Sequence, residues 1–268
     1  MAEDHPSPHV ASQDERILGK ALEGRRNRVI LSTKFGECFD EETGAAPPTE
    51  ITPEYVRTAC ETSLRRLRTD VIDLYLFHLR DFPLDRAVGI RDALEDLVSA
   101  GKIRGYGWST DDVERAELFA QGPHCTAIEH RLNVLMDAAE MLPLCERHDL
   151  ASINRVPLLI GLLTGRWTPD TVLPADDRRS DWFGEAGFLD ALRKAESLRP
   201  YLETDGRSYV QGALGWILAR SNRTIPIPGF RTVEQVEGVA GTLRHGPLTA
   251  EQMAAVARHL DSASSTYA

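Results

Sequence analysis

A chain of 268 residues, 42% hydrophobic and 27% charged, holds enough apolar material for a sizeable core and fits one large domain or two small ones. Its 31 Lys and Arg stand against 41 Asp and Glu, a formal charge of -10, which argues against nucleic acid and against an anionic membrane surface as partners. Apolar runs fall far short of the roughly 20 residues of a spanning helix, and the N-terminus MAEDHPSPHV lacks an apolar signal core, so the expectation is a cytoplasmic protein.

The first 13 residues carry Pro, Ser and His without periodicity and are expected to form an irregular arm, followed by one domain over 14–268. Order starts near Asp14. ERILGKAL places Ile17, Leu18, Ala21 and Leu22 at helical spacing, and NRVILSTK is a β-branched apolar run that reads as a buried strand from Val29. Thr52 and Pro53 open a helix with an apolar stripe of Tyr55, Val56, Ala59, Cys60, Leu64 and Leu67. The strand VIDLYLFH follows, then a helix carrying Ala87, Val88, Leu94, Leu97 and Val98, the strand IRGYGWS, a helix from Asp111 to Ala120 and the strand TAIEHR. A helix over Ala138 to His148 leads to the strand LASIN and a Pro/Gly/Asp-rich excursion from Arg155 to Gly187. Two helices, the strand TIPIPG and a helix from Thr232 complete the series.

This alternation, with strands apolar on both faces, means a parallel sheet covered by helices. Polar residues close the strands at their C-terminal ends: Lys34, His78, Ser109, Glu129 with His130, Asn154 with Arg155, and Gly229 with Arg231. The fold class that distributes them so is α/β, a (β/α)8 barrel of TIM type, whose site lies on that face. An open doubly wound sheet gathers ligand residues at one switch point, usually after a G-x-G-x-x-G turn, and the chain has no such motif.

Five segments in order carry a family resemblance: VILSTKFG, SLRRLRTDVIDLYLFHLRD, ALEDLVSAGKIRGYGWST, PLLIGLLTG and TIPIPGFRTVEQVE. Together they resemble the aldo-keto reductases, barrels that reduce carbonyls with NADPH, over the chain from about Glu15 to its end. The resemblance implies Lys34 as the catalytic lysine and His78 as the catalytic histidine. A lysine ammonium beside a phenol stabilises phenolate, and a neutral imidazole hydrogen-bonds the oxygen on which negative charge accumulates. It further implies Ser109, Glu129, Arg155, Pro157, Leu158, Gly161, Arg231 and Gln235 as cofactor-binding positions. Arg231 at the place of the 2'-phosphate group favours NADPH over NADH.

The chain also departs from the family. Counting back from Glu15 puts Asp4 on the catalytic aspartate but His9 on the tyrosine that donates the proton and Val10 on the glycine after it. A lost donor costs about 10² to 10⁴ in rate. Glu129 stands where a glutamine usually holds the nicotinamide carboxamide; a carboxylate accepts from that amide but cannot donate to it. Arg155 stands where many members stack a tyrosine on the ring. At about 30 residues per strand-helix unit, a lysine-bearing strand near Val29 leaves no room for a first strand, first helix and second strand. A late start, a truncation tolerated by homo-oligomers that cover the open edge, and a decayed copy are the competing explanations.

The leading expectation is therefore hydride transfer from NADPH to an aldehyde or ketone. The alternatives are an inactive barrel that binds a nucleotide or a partner protein, and a non-redox enzyme such as a dehydratase or isomerase. Trp108, Trp167, Trp182 and Phe183 are candidates for a substrate wall, with core or loop packing as the other reading. Asp70, Asp73 and Asp81 read as packing or supporting groups. No metal site is expected, since the aspartates near His78 read as packing or supporting groups and no His-x-x-x-His spacing involves His78. Cys38, Cys60, Cys125 and Cys145 form no Cys-x-x-Cys pair and read as reduced structural thiols.

Overall fold

The computed structural model describes residues 12–36, 50–79, 81–172 and 186–265. Six strands, β1 (Ser32–Gly36), β2 (Ile72–His78), β3 (Ile103–Ser109), β4 (Cys125–Arg131), β5 (Ala151–Arg155) and β6 (Thr224–Pro226), form a sheet in chain order. The pairings of β1 with β2, β2 with β3 and β3 with β4 are parallel. The chain divides into two compact units, one of residues 1–130 and 140–152, the other of residues 131–139 and 153–268.

In the first unit, helices separate the strands: α1 (Ser12–Ala21), α2 (Pro53–Leu67), α3 (Leu84–Ser99), α4 (Val113–Ala120) and α5 (Met141–Arg147). Local chemistry sets their ends. Thr52 caps α2 by accepting the Tyr55 amide at 3.2 Å, Pro53 fills its first turn, and Arg68 ends it in the left-handed region. Asp112 caps α4 through the amides of Glu114 and Arg115, so that helix starts at Val113 rather than Asp111. The turn closed by the Asn133–Met136 bridge holds the chain out of helix, so α5 starts at Met141 rather than Ala138. β1 starts at Ser32 rather than Val29. Arg26–Arg28 form a 3₁₀ turn, Arg26 donates to the Val71 carbonyl at 2.7 Å, and Ile30 is left 85% exposed.

Register sorts the strand residues into two faces. Phe35 pairs with Phe77, and Phe77 with Trp108, on one face. There Phe35 stacks on Tyr75 with ring centroids 4.5 Å apart, and Trp108 lies 4.7 Å from Phe119 of α4. Trp108 is fully buried and donates its indole N–H to the Leu79 carbonyl at 3.1 Å, which corrects its reading as a substrate wall. Lys34 pairs with Leu76, Leu76 with Gly107, and Gly107 with Ala127 on the opposite face. Two residues further along each strand, that face carries His78, Ser109 and Glu129.

The second unit contains α6 (Ala186–Ser197), α7 (Arg199–Leu202), α8 (Tyr209–Leu218), α9 (Val233–Ala240), α10 (Thr242–His245) and α11 (Ala250–Ser265). The last two extend beyond the helix expected from Thr232. Its core is α8, opened by a capping box between Ser208 and Gln211 and burying Tyr209, Leu214, Trp216 and Ile217. Strand β6 is three residues long and ends at Pro226, which has no amide to extend a ladder.

Cys60, Cys125 and Cys145 are buried free thiols, and burial pushes them up to about 12, 12 and 11 respectively. Such thiols are inert packing groups; Cys38 lies outside the described residues. Among the described residues, no helix is long and apolar enough to cross a membrane. Asp70 and Asp81 are exposed, whereas Asp73 is a structural anchor. It accepts the Leu31 amide at 2.8 Å and pairs with Arg26 at 2.7 Å and Arg104 at 3.0 Å.

Two outcomes are expected. A methyl group on Gly107 meets the Ala127 carbonyl oxygen at 1.9 Å, so Gly107→Ala lowers stability by about 3 kcal/mol, the upper end of overpacking costs, read as a fall in the urea midpoint. Burial raises the Asp73 carboxyl, but the Leu31 amide and the Arg26 and Arg104 guanidinia outweigh it and hold the group below the usual carboxylate range. A depressed folded value stabilises above the unfolded value of about 3.9, and that contribution is lost as pH falls through the folded value. Asp73→Asn therefore costs about 1–2 kcal/mol at neutral pH, discounted for the exposed Arg104. Urea melts across pH are expected to show the gap closing in acid.

Candidate active site

Three strand side chains of the first unit converge on one carboxylate oxygen. Lys34 leaves the middle of β1 and its Nζ forms an ion pair with Glu129 Oε1 at the end of β4. Ser109, at the end of β3, donates its hydroxyl to the same Oε1 at 2.9 Å. The Glu129 side chain is 1% exposed and that of Lys34 is 34% exposed, so the carboxylate is sealed in while the ammonium reaches the surface of the site. Side chains stand roughly perpendicular to their sheet. Residues three strands apart, as Lys34 and Glu129 are, meet because the first four strands curl their shared face inward.

This partnership is the feature that sequence reading missed. Glu129 was assigned to a cofactor amide, but the oxygen facing the site is already engaged by two protein donors. Alternation supplied a signal: Glu129 and Lys34 both fall on the face opposite Phe35, Phe77 and Trp108. A buried carboxylate on that face requires a cation or several donors.

His78 ends β2 next to Lys34's strand, half-buried, with Gly36 as its partner in register. His130, one residue past Glu129, points to the other face, where its Nε2 lies 2.7 Å from Ser152 Oγ in the core. The two tyrosines within these strands, Tyr75 and Tyr106, also lie on the helix-covered face. Burial drives both phenols upward. Asp4, His9 and Val10 lie outside the described residues, as do Trp182, Phe183 and the run Asp176, Asp177, Arg178 and Arg179.

In the second unit, Arg155 ends β5 half-buried and starts a loop with unusual backbone. Val156, Leu159 and Ile160 all have positive φ (56°, 46° and 58°), as do Gly161 at 106° and Gly165 at 67°. Left-handed conformations cost most for β-branched residues such as Val156 and Ile160, and stored strain of this kind clusters at ligand clamps and active sites. Pro157 is buried and Leu158 half-buried. Trp167 packs its ring 3.0 Å from the position of a Gly161 methyl and 5.9 Å from the Phe188 ring, so its role is to brace this loop.

Arg231 precedes α9 with its side chain exposed. Thr232 caps that helix by accepting the Gln235 amide at 3.2 Å, and Gln235 Oε1 accepts the Arg231 amide at 2.7 Å. An exposed guanidinium thus stands beside the positive end of a helix, a combination suited to an anion. Gln235 serves first as a clamp on the helix entrance.

Comparisons with known proteins bear on this arrangement. Residues 11–261 match the aldo/keto reductase family. The aldo-keto reductase str7 of Strobilurus tenacellus is 33% identical over 262 residues, covering 93% of this chain and 74% of that protein. The NADH-specific methylglyoxal reductase of Escherichia coli is 29% identical, covering 84% of this chain and 73% of that protein. The structure is similar to that of the glycerol dehydrogenase AKR11B4 of Gluconobacter oxydans, with a TM-score of 0.78, 29% identity and coverage of 92% of this chain and 76% of the other. An aldo/keto reductase of Klebsiella pneumoniae solved with NADP and acetate gives a TM-score of 0.63 at 25% identity, covering 91% of this chain and 74% of the other. With a match over nearly its whole length, the chain belongs to the aldo/keto reductase family.

Proposed function

We propose that the protein reduces an aldehyde or ketone with NADPH, with Lys34 and His78 as catalytic residues. The observation that carries this is the cluster in which Lys34 reaches the surface of the site while Glu129, itself held by the Ser109 hydroxyl, anchors it. The residues present fit a phosphorylated dinucleotide at the second unit. Arg231 offers an exposed guanidinium at a helix entrance, and the loop carrying Pro157, Leu158 and Gly161 has the positive-φ backbone that clusters at ligand clamps. Arg231 would hold the 2'-phosphate, Gln235 the adenine edge and Arg155 the nicotinamide end. When bound, the nicotinamide supplies a hydride to the carbonyl carbon.

The chain's own residues deal with the oxygen. As hydride reaches carbon, charge develops on the carbonyl oxygen, and the N–H donors of Lys34 and His78 stabilise it. A proton from water then completes the alcohol. Glu129 supplies the lysine's counter-charge instead of its family role at the carboxamide. That exchange weakens cofactor binding by about one hydrogen bond, on the order of 1 kcal/mol. Asp4 remains a proposed support for the lysine.

Fluorescence titration with NADPH tests the reading. Wild type is expected to bind saturably, and Arg231→Ala to weaken NADPH by about tenfold or more while changing NADH little. A folded wild type without saturable binding would overturn the reductase and favour the non-redox alternative, for which product forms without cofactor consumption. Glu129→Gln separates the two roles of that position. It is expected to tighten NADPH about fivefold by restoring an amide, and to slow carbonyl turnover because Lys34 loses its anchor. Lys34→Met is expected to lower turnover by about 10² or more, with NADPH affinity within a few-fold of wild type.

A further inference from the structure

A second charged site lies in the first unit, away from the ends of the strands that carry Lys34, His78 and Glu129. Helices α1 and α2 cross closely because Gly19 has no side chain: a methyl group there meets the Arg66 carbonyl oxygen at 2.7 Å and the Leu67 backbone at 2.8 Å. Glu15 fixes the crossing from beneath. It is 2% exposed, accepts the Thr33 hydroxyl of β1 at 2.8 Å and faces Arg66 of α2 at 3.7 Å. This geometry brings Arg16 and Lys20 of α1 against Arg65, Arg66 and Arg68 of α2, and the five line a cavity of about 390 Å³.

Charge is poorly balanced there. Arg66 has Glu15, and Arg68 has Glu23 at 4.0 Å. Among the described residues, no carboxylate lies within the 4.0 Å ion-pair range of Arg16, Lys20 or Arg65. Among the described residues, Arg16, Lys20 and Arg65 thus bring together three cations with no carboxylate in ion-pair range, in a chain whose net charge is -10. Like charges at i and i+4, as Arg16 and Lys20 are, repel on a helix. The negative end of α2 offsets part of this for Arg65 and Arg66, but it does nothing for Arg16, which lies in mid-helix.

We propose that this cleft binds a small soluble anion bearing two or more phosphoryl groups, held by Arg16, Lys20 and Arg65. Guanidinium forks match phosphoryl oxygens in pairs, the excess charge matches a polyphosphate rather than a single carboxylate, and the cavity has the volume of a small-molecule site. The site is independent of the reductase reading.

The test is calorimetric titration of the full chain with inorganic pyrophosphate at low ionic strength. Saturable binding is expected, weaker by about tenfold or more in Arg16→Ala/Lys20→Ala, unchanged in Arg231→Ala, and weaker by a similar factor for orthophosphate. The substituted side chains are exposed, and an unchanged thermal melt verifies that the variant folds. Absence of binding, equal affinity of the double variant, equal affinity for orthophosphate, or loss in Arg231→Ala would each overturn the assignment. Vesicles carrying phosphatidylinositol bisphosphate are expected not to retain the chain; retention that disappears in the double variant would transfer the site to a lipid headgroup and overturn the soluble ligand.

Discussion

The first unit depends on a buried carboxylate. Glu129 is 1% exposed, and removing such a group from water is costly unless charge and hydrogen bonds replace the lost solvent. Lys34 and Ser109 provide both, and they come from different strands. The pair therefore ties β1, β3 and β4 to one curvature, with small residues such as Gly107 and Ala127 leaving room beneath it. The opposite face balances this with apolar contact, where the stacked rings of Phe35, Tyr75, Phe77, Trp108 and Phe119 fill the space under the helices. One face is specified by charge and the other by packing.

In the proposed reading, the same pair departs from what the family resemblance implies at position 129. A glutamine at position 129 serves a cofactor amide and leaves the lysine to other partners. The glutamate gives the lysine a fixed counter-charge within the strands themselves.

The fold was largely legible because its signals are local. Thr52 and Pro53 announce the start of α2, the apolar stripe from Val56 to Leu67 fixes its buried side, and the run from Val71 to His78 has the two-sided character of a covered parallel strand. Boundaries set by tertiary contacts were misplaced. Nothing near Val29 reveals that Arg26 will be held by Asp73 and the Val71 carbonyl, more than 40 residues away, and so delay β1 to Ser32. The site was legible in its members but not in its pairings. Lys34, His78, Ser109 and Glu129 stood out as polar ends of apolar strands, yet the bond between Lys34 and Glu129 depends on curvature, which a linear pattern does not encode. Trp108 stayed open between a substrate wall and core packing because a large aromatic near a strand end has the same sequence appearance whether it faces a ligand or a helix. The positive-φ backbone of Val156 and Ile160 left no mark in composition at all.

Cys60, Cys125 and Cys145 are distributed over α2, β4 and α5, three elements of the first unit, and each is buried. A thiol-modifying reagent reaches them only when the surrounding packing opens. Their individual labelling rates, resolved by peptide mass, thus form a built-in clock for local opening of that unit, separate from events in the second. Equal rates would report a unit that opens all at once, and unequal rates would rank its elements by stability.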